Sequence, residues 1–92
     1  KVFEDDLSPF ELKRFAGMLK EKFPESSVGI FSPIEGAFNY VIASSEPELL
    51  KISKSLNAKL NGRGGGRDGM VQGTYRADKK AIEGAFDEVF SK

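Results

Sequence analysis

Residues Asn61 to Gly73 are the part of the chain whose residue types could do chemistry. Six of the ten glycines in the sequence lie in this stretch, and two arginines, Arg63 and Arg67, stand among them. Because glycine has no side chain, its backbone N–H groups can approach another molecule closely. The arginine guanidinium is always charged, and its planar fork matches the oxygens of phosphate or carboxylate. The stretch therefore predicts a binding site for an anion.

Known glycine-rich loops differ from this stretch in their context. A Walker loop requires a lysine and a hydroxyl residue after its glycines, followed by a helix, and neither is present here. Gly64, Gly66 and Gly69 have the spacing of the dinucleotide fingerprint, but no helix pattern follows them. A nest of successive backbone N–H groups at Gly64 to Gly66 fits the sequence, and a glycine-rich turn or linker is the alternative without a ligand.

Gln72 is a polar residue at the start of an apolar run. A polar side chain in such a position usually has a hydrogen-bond partner. That partner is a base, a ribose or the backbone of the glycine-rich stretch, and the sequence leaves these three open.

The sequence has no cysteine and no histidine. This excludes disulfides, thiolate or imidazole metal ligands, and Ser-His or Cys-His nucleophile pairs. The acidic residues are scattered over predicted helix surfaces and a terminal segment. We therefore expect no catalytic residue, no metal site and no cofactor, so that the chain by itself is not an enzyme.

The charge of the chain is unevenly distributed although its net value is zero. Residues 59 to 80 carry six Lys or Arg and two Asp or Glu, a net charge of +4, whereas the segments before and after it each carry −2. The positive segment includes the glycine-rich stretch, where an anion site requires it. No apolar run approaches the roughly 20 residues of a membrane span. With Lys1 as first residue, the chain is expected to be a soluble single domain from a longer protein, without a membrane segment.

Hydrophobic periodicity and turn signals predict the elements that position this stretch. In chain order they are a strand at Val2-Phe3, a helix capped by Ser8 and Glu11, a hairpin of strands at 28–31 and 38–43, a helix starting at 45–48, a strand at 70–75, and a helix capped by Asp78. The order β-α-β-β-α-loop-β-α predicts an α/β (α+β) fold, in which helices pack on a small mixed sheet.

Two further expectations concern particular residues. Gly62 follows the second helix and is expected to take the left-handed conformation that ends it. The phenylalanines Phe10, Phe15, Phe86 and Phe90 fall on or near helical stripes, which favours core positions over base stacking.

The segment Leu60 to Gly73 resembles the signature of the DHH-associated domain, the small C-terminal module of alanyl-tRNA synthetases and of related alanyl-tRNA editing proteins. The resemblance covers essentially the whole chain, residues 1–92, as a single domain. It departs from the signature at Asp68-Gly69, where the synthetases commonly have proline, and at Val71, where they commonly have alanine.

This resemblance implies a non-catalytic accessory module that binds tRNA. The expected partner is alanine-accepting or misacylated tRNA, and the expected parent is an alanyl-tRNA synthetase or an alanyl-tRNA editing hydrolase of the cytoplasm. Oligomerisation through the domain is a further possibility. The residues expected to bind the phosphate backbone are Asn61, Arg63, Gly64, Gly65, Gly66, Arg67, Gln72 and Gly73.

The same family also forms the substrate-clamping lobe of DHH-type phosphoesterases, which bind short single-stranded nucleic acid or nucleotides. Those members typically have Gly-Gly-Gly-His at the loop, whereas Arg67 stands here in place of the histidine. The Met70-Val71-Gln72-Gly73 segment looks like the synthetase branch. The resemblance therefore favours the tRNA-related function, with the phosphoesterase lobe as the alternative.

Overall fold

The computed structural model describes residues 1–90 and confirms the mixed α/β class. The elements in chain order are β1 (Val2–Phe3), α1 (Pro9–Lys22), β2 (Val28–Ile34), β3 (Ala37–Ala43), α2 (Leu49–Lys59), β4 (Arg63–Arg67), β5 (Met70–Tyr75) and α3 (Lys79–Phe90). The predicted order is confirmed with one addition, because the glycine-rich stretch forms strand β4 where a loop was expected. Within residues 1–90, no helix has the length and apolarity needed to cross a membrane.

The strands form one five-stranded mixed sheet in the order β1-β2-β3-β5-β4. Strand β1 pairs with β2 in parallel, and the remaining neighbours are antiparallel. Strands β4 and β5 form a hairpin whose turn contains Gly69 at a φ of 96°, a conformation that glycine adopts without strain. The first part of the glycine-rich stretch, Arg63–Arg67, is therefore an edge strand, and its last residues belong to the inner strand β5.

The two faces of the sheet pack against different helices. Val41 and Ala43 of β3 belong to a core cluster with Leu12 and Ala16 of α1. The alternate residues of β3 point to the other face, where they pack in a second cluster with α2 and α3. The buried residues of this second cluster include Tyr40, Ile42, Leu49, Leu56, Ile82 and Phe86. Strand β3 is therefore central and covered on both sides, as its apolar residues on both faces predict.

Helix α1 begins with the predicted capping box. The Ser8 backbone N–H donates to the Glu11 carboxylate (2.9 Å), and the Glu11 N–H donates to the Ser8 hydroxyl (3.2 Å). Leu12 and Ala16 take the side of the helix that faces the sheet and are fully buried. Because Phe10 lies on the opposite side, this residue is 71% exposed. The prediction of a core position for Phe10 is wrong, while Phe86 is buried as expected.

The ends of α2 differ from the sequence prediction. The helix begins at Leu49 rather than at 45–48, because Glu46 to Leu49 form a turn closed by the Leu49 N–H and the Glu46 carbonyl (3.1 Å). At the other end Asn61, not Gly62, takes the left-handed conformation, with a φ of 50°. Asn tolerates this region better than most residues. The predicted cap of α3 is confirmed, since the Ala81 N–H donates to the Asp78 carboxylate (2.8 Å).

Two stacked tyrosines occupy the core beneath β4 and β5. The rings of Tyr40 and Tyr75 lie 3.9 Å apart at 7°. The Tyr40 hydroxyl donates to the side-chain oxygen of Asn57 on α2 (3.1 Å). The Tyr75 hydroxyl is buried and has no hydrogen-bond partner among residues 1–90. Burial raises the pKa of Tyr75 far above its ordinary value, and the neighbouring Tyr40 adds to the shift.

Removing each tyrosine hydroxyl separately should have opposite effects on stability. Tyr40→Phe breaks the bond to Asn57 and should lower the free energy of unfolding by about 1 kcal/mol. Tyr75→Phe removes a buried hydroxyl without a partner and should raise the free energy of unfolding, by up to about 1 kcal/mol. Urea unfolding of both variants measures the difference. A larger loss for Tyr75→Phe than for Tyr40→Phe would contradict the assigned hydrogen bonds.

The raised pKa of Tyr75 predicts a loss of stability in alkali. In the unfolded chain this hydroxyl ionises near its ordinary pKa of 10.0, whereas in the folded chain it stays neutral. This group therefore does not reduce the free energy of unfolding below pH 10. Above that value the unfolded chain loses the proton while the folded chain keeps it, so the free energy of unfolding falls as the pH rises. Unfolding measured from pH 8 to pH 11 should show this fall in the unsubstituted chain. A Tyr75→Phe chain with the same pH profile would refute the assignment.

Candidate nucleic-acid interface

Strand β4 lies unusually close to β5 and to the tyrosines beneath it. A β-carbon on Gly64 would lie 2.2 Å from the backbone oxygen of Gln72 and 2.6 Å from the Tyr40 hydroxyl. A β-carbon on Gly73, which pairs with Gly64, would lie 2.1 Å from the backbone oxygen of Arg63. Because these contacts are mainly with backbone atoms, any side chain would push the strands apart. Gly64 and Gly73 are thus packing requirements.

Three other glycines of the stretch have similar explanations. A β-carbon on Gly62 would lie 2.6 Å from the side chains of Asn57 and Tyr75, and one on Gly66 would lie 2.4 Å from the backbone oxygen of Met70. Gly69 occupies the turn with its positive φ. Gly65 is the exception within Asn61 to Gly73, because a β-carbon there would meet nothing within 4 Å and its φ is not positive. Folding therefore does not require glycine at 65, which leaves its bare surface available for another molecule.

The hairpin register places the candidate side chains on one face of the sheet. Arg63 pairs with Thr74, Gly65 with Gln72, and Arg67 with Met70. Directly paired residues of an antiparallel hairpin share a face. This is the face on which α1 packs, but α1 covers β2 and β3, and Arg63, Gly65, Arg67 and Gln72 remain exposed. The open half of this face, formed by β4 and β5, is called the open sheet face below.

The cations of the open sheet face are not neutralised by ion pairs. Within residues 1–90, neither Arg63 nor Arg67 lies within salt-bridge distance of an acidic side chain, and Asp68 in the turn does not pair with its neighbour Arg67. The α-carbons of the two arginines are about 13 Å apart along the strand. They can therefore reach different phosphates of one bound strand. Lys13 of α1 borders a depression of about 340 Å³ together with Arg67 and Gln72 and adds a third cation.

The outer edge of β4 presents backbone groups to solvent. The close approach of Gly64 to Gly73 is typical of the non-hydrogen-bonded pairs of an antiparallel hairpin, which alternate with hydrogen-bonded ones. The N–H and C=O groups of Gly64 and Gly66 therefore point away from β5. A nest of successive N–H groups, one alternative from the sequence, is not formed, because neighbouring N–H groups of an extended strand point in opposite directions.

The structure brings together only part of the predicted site. Arg63, Gly65, Arg67 and Gln72 share the open sheet face, while Gly64 and Gly66 contribute their edge groups. Gly73 is required for the close packing of the hairpin. Asn61 belongs instead to the segment that ends α2, where it has a left-handed backbone conformation.

Sequence reasoning missed three residues at this face. Lys13 lies some fifty positions away on α1, and no local pattern marks it. Asn39 and Thr74 lie side by side on β3 and β5, where the Thr74 hydroxyl donates to the Asn39 side-chain oxygen (3.0 Å). The signal for Asn39 was present, since it is a polar residue inside an apolar strand, as Gln72 is.

The whole chain, residues 1–92, matches a family model described as the DHHA1 domain. Among known proteins, it is 34% identical over 71 residues to the alanine–tRNA ligase of Malacoplasma penetrans (strain HF-2), an alignment that covers 68% of this chain and 8% of the ligase. It is 30% identical over 76 residues to the alanine–tRNA ligase of Acholeplasma laidlawii (strain PG-8A), covering 83% of this chain and 9% of the ligase. The chain thus spans less than a tenth of the length of these relatives.

A solved structure shares the fold over the complete chain. The C-Ala domain of Aquifex aeolicus alanyl-tRNA synthetase superposes with a TM-score of 0.79 and 27% sequence identity. The match covers 100% of this chain and 88% of the C-Ala chain. The similarity therefore extends to the arrangement of all the elements described above.

The two kinds of glycine in β4 should respond differently to alanine. Gly64→Ala forces a β-carbon against the backbone of β5 and should lower the free energy of unfolding by about 2 kcal/mol or more. Gly65→Ala places its β-carbon in open space and restricts the unfolded chain, so stability should be unchanged or higher by about 0.5 kcal/mol. Urea unfolding of the two variants measures both effects. Equal losses at both positions would contradict the packing described for β4.

Proposed function

Because this chain belongs to the DHHA1 domain family, as its sequence predicts, we propose that it is a non-catalytic accessory module that binds tRNA for an alanyl-tRNA synthetase or a related editing protein. The tRNA would be alanine-accepting or misacylated. Catalysis would belong to other parts of a longer cytoplasmic protein, with residues 1–92 as a single domain of it. The relatives named alanine–tRNA ligase, of which this chain matches 8% and 9% of the length, support this proposal.

The observation that carries the proposal is that Arg63 and Arg67, on either side of Gly65, form no salt bridge within residues 1–90. Arg63 and Arg67 are exposed, and neither has an acidic partner within residues 1–90. Gly65 between them has no packing role that excludes a side chain. An extended strand edge with two cations and no side chain between them is suited to a polyanion with regularly spaced phosphates. Arginine contacts of this kind position the sugar-phosphate backbone of a nucleic acid and do not read its base sequence.

The proposed mode of binding is a contact along the hairpin rather than a pocket for one phosphate. Arg63 and Arg67 would each bind a phosphate, and the outward N–H groups of Gly64 and Gly66 would donate to backbone oxygens between them. Lys13 would contact the same nucleic-acid strand from the side of α1. Arg67, in place of the histidine of the phosphoesterase branch, supports a tRNA ligand over the short substrates of those enzymes.

Removing the arginines should weaken tRNA binding through the phosphate contacts. We expect Arg63→Ala and Arg67→Ala each to cost about 1 to 3 kcal/mol of binding free energy. Each should also reduce the dependence of log affinity on log salt by about one unit. Fluorescence anisotropy with a labelled alanine-accepting tRNA transcript, measured at several salt concentrations, gives both quantities.

Lys54→Ala is the matched control for these variants. Lys54 is an exposed cation on α2, on the opposite side of the sheet from the open sheet face, and its removal changes the net charge equally. It should leave affinity and salt dependence nearly unchanged. Absence of salt-dependent binding by the unsubstituted chain, or an equal effect of Lys54→Ala, would overturn the proposed function.

A further inference from the structure

A small cavity lies between the N-terminal turn of α1 and the neighbouring sheet strands, at the border of the open sheet face. Its volume is about 190 Å³, and it is bounded by the first turn of α1 and by strands β3 and β5. The residues that line it are Pro9, Leu12, Asn39, Tyr40, Val41, Gln72, Gly73 and Thr74. Leu12, Tyr40 and Val41 form its buried floor, and Pro9, Asn39, Gln72 and Thr74 are accessible at its mouth. It is smaller than the roughly 300 to 1,000 Å³ of typical small-molecule sites. Its size and its mixture of apolar walls with a few polar groups suit a single planar ring system.

The polar groups of this cavity are available to a ligand. The Gln72 amide makes no hydrogen bond to another residue within 1–90, so both its donor and its acceptor are free. The Asn39 oxygen accepts from Thr74 (3.0 Å), which leaves the Asn39 NH₂ group as a donor. Neighbouring amide donors and acceptors match the hydrogen-bonding edges of nucleobases.

Gly65 keeps the approach to these amides open. It is the direct cross-strand neighbour of Gln72 and lies on the same face. A side chain at position 65 would project beside Gln72 from the outer strand. Packing does not require glycine there, and its bare position leaves room for a ligand to lie over Gln72.

We propose that the cavity receives one unpaired nucleobase of the bound RNA. The base lies in the mouth of the cavity against Pro9 and Thr74, and the Gln72 and Asn39 amides bind its edge. The phosphates on either side of that nucleotide run along β4 to Arg63 and Arg67. This inference rests on the proposed function and narrows its ligand to RNA with an exposed base.

The test compares two single-stranded RNA hexamers, one of adenylates and one of the same length in which every base is absent. Fluorescence anisotropy with the 92-residue chain should give about tenfold weaker binding for the abasic hexamer, within the range measured for the stacking of one base. The salt dependence of the two should be alike, because their phosphates are the same. Gln72→Ala should weaken binding of the adenylate hexamer and leave the abasic hexamer unaffected.

Nuclear magnetic resonance supplies an internal control, because the chain has only four side-chain amides. On addition of the adenylate hexamer, the NH₂ signals of Gln72 and Asn39 should shift, whereas that of Asn57, on the opposite side of the sheet, should not. The abasic hexamer should move neither cavity signal.

Two outcomes separate this inference from the proposed function. Equal affinity for both hexamers, with Arg63→Ala still reducing it, would overturn the base site and leave phosphate binding intact. Binding of a blunt RNA duplex as tightly as the adenylate hexamer would also overturn it. Failure of the chain to bind either hexamer or tRNA would overturn both proposals.

Discussion

The close contact between β4 and β5 above Tyr40 is the constraint on which the rest of this structure depends. Gly64 and Gly73 face each other without side chains, and the Tyr40 hydroxyl lies beneath Gly64, where it is bonded to Asn57 of α2. The outer strand is therefore tied to both the sheet and a helix by backbone approach rather than by burial of its own side chains. All residues of β4 remain exposed as a result.

This constraint divides the glycines into two groups with different causes. Most of those between Asn61 and Gly73 are required because a β-carbon would meet backbone atoms or because the turn needs a positive φ. Gly65 has neither reason, and it is the position flanked by the two free arginines. Glycine density alone is thus a poor guide to the extent of a binding site, because packing explains most of these glycines. The proposed binding rests on the one position without a packing cause.

The unequal cover of the two sheet faces explains where a polyanion could bind. Helices α2 and α3 bury one face, where the tyrosine stack and the larger core cluster lie. Helix α1 packs over β2 and β3 on the other face, where Met70 of β5 also packs against its core cluster, and leaves β4 and the rest of β5 open. The exposed polar and basic residues gather there because the hairpin register turns the side chains of alternate positions to that side.

The sequence by itself determined the elements whose signals are local. The capping box at Ser8, the apolar alternation of β3 and the Asp78 cap each depend on residues within a few positions of each other, and each is confirmed. The family resemblance, which extends over the whole chain, is confirmed as well. The first part of the glycine-rich stretch was expected to be a loop, but Arg63–Arg67 form strand β4. Propensity disfavours glycine in strands, and only pairing with β5 compensates for it.

The tertiary structure alone decided which of the candidate residues meet. Register turns Arg63, Gly65, Arg67 and Gln72 to the same face, and distant Lys13 and Asn39 join them because α1 and β3 pack beside the hairpin. It also placed Phe10 outside the core, since Leu12 and Ala16 take the sheet side of the helix. A local pattern can mark one residue, as the polar Asn39 in its apolar strand shows. Which marked residues meet depends on contacts between residues far apart in the chain, and no local pattern encodes those contacts.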